Sequence, residues 1–426
     1  MIGARVSLLA ILLAASALGQ APLTLTDDGA WCWFADPRAV YHAGTHRRTY
    51  LGWVTRRGDI VVAHHDHGSG KTESSVLHPG LDRDDHANPA LLVREDGRID
   101  AYYTRHAGRK MYVRTSLRKE DATAWGPERT FAPNTGKWGR DGYCYPNPVR
   151  LAAESGRRYL FWRGDHWKPT LSRSDDGGRS WSAGRIVLMR KGAGAGSRPY
   201  VKVDTDGESR IHLAFTDGHP RNEKTNSIYY AAYDRGAFHR ADGKKIVAID
   251  ALPFQPRQAD CVYDGRQTGV RAWIWDVAVD ADGRPVIVYA RLPAESDHRY
   301  HYARWTGKRW DDHELCAAGG WFPTTAAGKR EREPHYSGGV VLDHDDPTVV
   351  YLSRPIDGVF EIERWSTADG GETWSHASIT SGSKHHNVRP VVVRGHASRP
   401  GFRVAWMELA GGYEHYTRFH AAIRAR

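Results

Sequence analysis

Apolar and polar residues alternate with a period of two through many short segments of this chain, and the segments come in pairs. An apolar strand runs into a Gly/Asp-rich turn and returns as a strand rich in Tyr, Trp and Val. Such alternation predicts half-buried β-strands, and Asp-Gly turns such as EDGR at Glu95 and ADGR at Ala281 predict hairpins. Pairs begin at Arg38, Asn88, Asn147, Pro199, Trp275, Tyr336 and Val388, giving seven units at a period near 50 residues. A third strand follows, as in KMYVRTS at Lys110, SIYYAAYD at Ser227 and FEIERWS at Phe360, and usually a less regular fourth. Four antiparallel strands repeated radially predict an all-β, seven-bladed β-propeller occupying residues 21–426 as a single domain. The last unit is short of a strand when the chain ends, so residues 23–34 are expected to supply it and close the ring.

Composition agrees with strands joined by tight turns: 16 Trp, 20 Tyr and 44 Gly among 426 residues. Residues 1–20 place Arg5 before a short apolar run and then small residues. They read as a signal peptide, the run being shorter than the roughly 18–20 residues of a membrane span. The expected location is secreted or periplasmic, without a membrane anchor. Four cysteines, Cys32, Cys144, Cys261 and Cys316, are too sparse for a disulfide framework; one bridge is possible, the three full pairings stay open, and the spacing matches no zinc motif. A formal charge of +10 favours an anionic partner; with no Lys/Arg stripe or nucleic-acid motif, acidic polysaccharide fits better than nucleic acid. A monomer is expected.

In a blade the start of the first strand and the end of the second share one edge, so their residues converge on one face around the axis. The starts carry His86, Asn88, Tyr145, Arg198, Tyr200, Trp275, His335, Tyr336, His386 and Arg389; the ends carry His106, Arg163 and His219. Loop tips at random would be Gly, Ser, Asn, Asp and Lys, so dominance of His, Arg, Tyr and Trp marks a site. Such groups suit β-elimination on a uronate, where a cation stabilises the enolate-like state, a base removes the C5 proton and an acid serves the leaving O4. Two-carboxylate hydrolysis fits less well, because the few acids at this face adjoin arginines.

WCWFADPRAV at Trp31, DDHANPALLV at Asp84, YPNPV at Tyr145, YLFWRG at Tyr159, FTDGHPRN at Phe215, WIWDVAVD at Trp273 and HHNVRPVV at His385 resemble the bacterial neuraminidase repeat propellers. The likeness is to the branch with propeller ulvan lyases and rhamnose-glucuronate lyases. SRSDDGGRSW from Ser172 and STADGGETW from Ser366 are similar to that family's Asp-box, a turn between outer strands held by Asp and packed by Trp181 or Trp374. The resemblance implies a secreted polysaccharide lyase acting on an ulvan-like acidic polymer. His86 would be the principal catalytic histidine, His106 a second, Tyr145 the tyrosine exchanging a proton with the sugar, and Arg163 the uronate clamp. Asn88, Tyr200, His219, Trp275, His335, Tyr336, His386 and Arg389 would bind substrate. The chemistry requires no cofactor; relatives carry structural calcium or zinc, but no ligand set is readable here. The competing readings are an exo-acting rhamnose-glucuronate lyase or α-L-rhamnosidase, and a non-catalytic acidic-glycan-binding propeller.

Overall fold

The computed structural model describes residues 21–321, 336–396 and 401–426; residues 1–20, read above as a signal peptide, and His335 lie outside them. Seven antiparallel sheets follow one another around an axis. The innermost strands are Ala39–Ala43, Ala90–Val93, Cys144–Leu151, Val201–Thr205, Arg271–Val279, Val340–Leu342 and Asn387–Val392. The fourth blade departs from four strands: its third strand, Ile228–Asp234, pairs both with Ala237–His239 and with Asp260–Tyr263.

Where the alternation predicts half-buried strands, the inner strands are buried on both faces. In Arg157–Arg163, Tyr159 and Phe161 enter a core shared with Val203 and Leu213 of the next blade, whereas Leu160 and Trp162 face Tyr102 and Met111 of the previous one. Blades lie on both sides, so both faces of the strand are buried and large residues alternate with large ones. The segments at Ser174 and Thr367 close similar turns. Asp176 Oδ1 accepts from Ser180 N at 2.9 Å, and Asp369 Oδ1 from Thr373 N at 2.9 Å. No helix among the described residues is long and apolar enough to cross a membrane.

The ring closes as the chain's patterning suggested. Leu23–Thr26 pairs antiparallel with Ala422–Ala425, so the seventh blade is built from both ends of the described chain. The rest of the expected closing segment does something else. Instead of continuing as strand, residues 30–37 dive into the axial channel and fill it. Cys32 N donates to Asn88 Oδ1 (3.0 Å), Asn147 Nδ2 to Phe34 O (2.8 Å), Trp33 Nε1 to Ile274 O (3.3 Å) and Trp31 Nε1 to Arg389 O (3.0 Å). Lys202 Nζ donates to Trp33 O and also pairs with Asp36. Trp31, Trp33 and Phe34 are fully buried, and Trp33 stacks on Trp275 at 4.2 Å. Blades two, three, four, five and seven thus grip one peptide segment.

Deleting residues 21–33 removes both the closing strand and two buried indoles. Losing a large buried aromatic side chain costs about 3–5 kcal/mol, against a total domain stability of about 5–15 kcal/mol. The truncated protein is expected to lose its cooperative melting transition by circular dichroism; an unchanged transition would show that the plug and the closing strand are dispensable.

Candidate active site

The face above the plug is organised by two adjacent aspartates. Asp84 ends the approach to the second blade and caps the short turn Asp85–Ala87, accepting from His86 N at 3.0 Å. The same carboxylate accepts from two imidazoles. His86 Nδ1 is 2.6 Å from Oδ1, and His106 Nδ1, just beyond the strand Ile99–Tyr103, is 2.7 Å from Oδ2. The rings lie parallel, 4.1 Å apart with 5° between planes. Tethered through Nδ1, both present Nε2 on the opposite edge.

Their partners assign the tautomers. Arg163 Nη2 lies 3.2 Å from His106 Nε2, and a guanidinium can only donate, so Nε2 of His106 is the acceptor and Nδ1 carries the proton. Burial and then the positive charge of His86 push His106 down to about 4, against the pull of Asp84, so it is neutral at neutral pH. Burial works against charge on His86 as well. There the Asp84 carboxylate prevails, with Asp85 Oδ1 a further 3.0 Å contact, and His86 stands well above the ordinary histidine range. One member of the stack is therefore an imidazolium and the other a neutral ring.

Arg163 ends the strand Arg157–Arg163 and is buried. Nη1 donates to Tyr200 Oη at 2.6 Å and Nη2 also contacts Cys144 Sγ at 3.2 Å, which leaves a second Nη1–H for an anionic ligand, while Nε–H is buried. Its guanidinium lies 4.8 Å from the Tyr145 ring. Tyr145 sits at the irregular start of Cys144–Leu151 with φ 60°, a left-handed conformation that a bulky residue rarely takes. The Tyr145 ring is 5.4 Å from His86, and its hydroxyl has no hydrogen-bond partner among the described residues. Burial pushes the phenol well above its usual range, despite the nearby Arg163 charge, so it holds its proton.

Sequence reasoning brought together His86, His106, Tyr145, Arg163 and Tyr200, and the structure joins them in one cluster. His219 and Tyr336 continue the row: His219 is 5.5 Å from Tyr200 and 6.2 Å from Tyr336. Three other expected substrate contacts are structural instead. Asn88 is fully buried and spends its amide on the plug, at Cys32 N and Ala35 O. Trp275 is 1% exposed beneath Trp33; Trp273, which touches both Tyr200 and His219 at 4.8 Å, holds the place nearer the row. Arg389 is 1% exposed and pairs with Asp85 while donating to Trp31 O at 2.7 Å and Tyr413 Oη at 2.8 Å. His386 stands apart, its Nδ1 accepting from Phe360 N at 3.1 Å. His335 falls outside the described residues.

Several members of the site were missed. Asp84 and Asp85 stand directly before His86, and a carboxylate beside a histidine was a readable signal. Tyr416 had no such signal. It lies on a hairpin, Tyr413–His415 with Arg418–Phe419, inserted before the last strand, and meets His86 edge-on at 4.8 Å. The hairpin is locked to the site because Tyr413 Oη donates to Asp85 and Asp85 N donates to Tyr416 O at 2.9 Å. Cys32 and Cys144 are buried free thiols beneath the cluster, and Cys261 and Cys316 are also unbridged.

The calcium or zinc that the resemblance allows does not fit these residues. Asp84, His86 and His106 converge, but the Nδ1 atoms carry protons toward Asp84 and offer no lone pair there. At a second grouping, His396 turns Nε2 to Asp343 (3.2 Å) and Nδ1 to Asp345 (3.6 Å), so opposite ring edges face the two carboxylates. At a third, Cys32, Asp85 and His86, burial raises the Cys32 thiol and keeps it protonated, and the protonated Nδ1 of His86 faces Asp85.

A ring of seven BNR-type blades with a polar aromatic centre defines the class, and the comparison agrees. Residues 48–318 match the BNR repeat-containing family, and the chain belongs to it. Among individual proteins it is similar to an ulvan lyase PL25 of Pseudoalteromonas sp. (strain PLSV), 22% identical over 80% of this chain and 76% of the relative. An ulvan lyase of Nonlabens ulvanivorans shows the same identity and coverage. The fold superposes on a PL25 ulvan lyase structure with a TM-score of 0.71 at 16% identity, covering 94% of both chains. A second structure of that type, bound to -[GlcA(1-4)Rha3S]-, gives 0.70 at 15% identity, again over 94% of both.

Replacing Asp84 with Asn removes the negative charge that holds the proton on His86. The His86 midpoint in an NMR pH titration is expected to fall by at least about one unit, the scale of a lost close ion pair; an unmoved midpoint would assign the elevation to Asp85 alone.

Proposed function

We propose that the protein is an exported polysaccharide lyase that cleaves a uronate-containing, ulvan-like polymer by β-elimination. The observation that carries this reading is the Asp84-bridged imidazole pair abutting Arg163 and Tyr145. Each part answers a requirement of the chemistry. The unspent Nη1–H and the positive charge of Arg163 hold the C6 carboxylate and stabilise the negative charge that builds on it as the C5 proton leaves. His86, once it has lost its own proton, offers Nε2 as base. Tyr145 keeps its proton near neutral pH and delivers it to O4 as the C4–O4 bond breaks. His106 stays neutral, holding Arg163 through Nε2 and keeping a second full positive charge away from His86.

The relatives named as ulvan lyases, and the solved lyase bound to a glucuronate–rhamnose sulfate chain, support the same substrate class. The net charge of +10 suits a polyanion. We read the protein as a monomer that reaches its substrate outside the cytoplasm and needs no metal for the chemical step.

His86→Ala and Tyr145→Phe are each expected to lower the rate of unsaturated-uronate formation from ulvan by at least about a hundredfold, with the melting transition retained. Near-normal rates in either variant would remove that residue from the mechanism. A second measurement follows from the raised His86 midpoint. The base form grows as pH rises, so kcat/KM should climb from neutral into the alkaline range, and Asp84→Asn should move that limb to lower pH; a limb below pH 5 would point to His106 as the base.

A further inference from the structure

Outward from Arg163 the face continues onto a ledge that the catalytic reading does not use. In the turn Asp165–Trp167, His166 and Trp167 both take left-handed backbone conformations, φ 53° and 59°. Two successive side chains adopt this only where the surroundings enforce it, and such strain gathers at functional sites. Here the enforcement is visible. Asp165 accepts from Thr135 N at 3.0 Å and Thr135 Oγ1 at 2.9 Å, fixing the loop before the third blade. Lys168, fully buried, donates to Gly194 O at 2.8 Å and to Ser197 O, and His166 Nε2 lies 3.1 Å from Ala193 O. Trp167 also needs Gly142 beneath it, where a Cβ would fall 2.5 Å from the indole.

The ledge presents two kinds of group. Arg163 and Arg198 both lie against the Trp167 ring, their Cζ atoms 5.4 and 5.2 Å from its centroid. The hydrogen bond of Arg198 is from Nε to Ala195 O (3.2 Å), and no carboxylate among the described residues pairs with it. On the His166 side of the same turn Trp138 is 40% exposed, one of three large apolar side chains so open among the described residues, with its ring 5.4 Å from His166 and the Lys137 ammonium 5.9 Å away. An open indole on one side of the turn can stack on a sugar face, and an unneutralised guanidinium held by Trp167 of the same turn can take an anionic substituent.

We propose that this ledge is a second acidic-sugar subsite. Arg198, positioned by Trp167, takes the sulfate ester or carboxylate of the sugar unit adjoining the one whose carboxylate Arg163 holds, and Trp138 stacks on the outer sugar. The proposal rests on the lyase reading, and its test separates the two. Wild-type protein, Arg198→Gln and Trp138→Ala are compared in steady-state cleavage of ulvan and of chemically desulfated ulvan. The same proteins are run in affinity electrophoresis through gels containing ulvan, desulfated ulvan or carboxyl-reduced ulvan.

Arg198→Gln is expected to raise KM for ulvan about tenfold, the scale of one lost charge-assisted contact, with kcat within about twofold. If sulfate is the group held, the difference from wild type vanishes on the desulfated polymer. If carboxylate is held, it persists there, and the difference in retention between wild type and Arg198→Gln vanishes in the carboxyl-reduced gel. An Arg198→Gln protein with unchanged KM and unchanged retention would overturn the subsite while leaving the lyase intact. Wild-type protein that cleaves neither polymer, yet loses retention on Arg198→Gln substitution, would overturn the lyase reading and keep the subsite; wild-type protein retained by none of the gels overturns the subsite.

Discussion

The structure depends on the peptide that fills its axis. A propeller of this size leaves a channel along the axis where inner strands diverge, and the polar edges of those strands would face each other across it. Here residues 30–37 occupy that space, with three buried aromatic side chains and hydrogen bonds to five blades. The plug turns a ring of loosely related sheets into a body with a floor. Everything on the central face stands on that floor: Phe34 packs on Tyr145 at 5.4 Å and on Tyr200 at 4.8 Å, and Trp33 supports Tyr336 at 5.4 Å.

On this base the electrostatics are settled by pairing acids of different duty. Asp85 is fully buried and is held by Arg389 and Tyr413 from the seventh blade; it fixes the turn that carries His86. Asp84 faces the histidines and sets unequal protonation on two otherwise similar rings. A buried carboxylate with an arginine partner is costly to break and serves well as a rigid anchor. A carboxylate shared by two imidazoles is a means of tuning, and the two roles fall to neighbouring residues.

The sequence made the repeated features legible and left the unique ones obscure. The apolar runs on either side of the Ser-Gly turn in NPVRLAAESGRRYLFWRGD marked the hairpin Cys144–Leu151 with Arg157–Arg163, because burial on both faces leaves a near-continuous apolar signal. The rule that strand edges converge likewise placed His86, His106, Tyr145 and Arg163 together. It failed at Asn88, Trp275 and Arg389 because those residues turn toward the plug, and nothing in a repeat unit announces a segment that belongs to no blade. Tyr416 was hidden for a related reason: its hairpin interrupts the last blade, so periodicity passes over it. The ledge around Trp167 arises from loop backbone conformations that have no periodic signature at all.

Ring closure also bears on how the site comes into being. Leu23 pairs with Ala425, nearly the full length of the chain away, and contacts so distant in sequence form late because the loop they close is costly. The turn carrying His86 is made early in synthesis, yet its Asp85 waits for Arg389 and Tyr413, which emerge near the end. Until the last blade docks, Asp85 therefore lacks its arginine and tyrosine partners, and the turn carrying His86 lacks that anchor. Maturation of the centre and completion of the ring are then one event, and an unfinished chain has no partly working centre to expose.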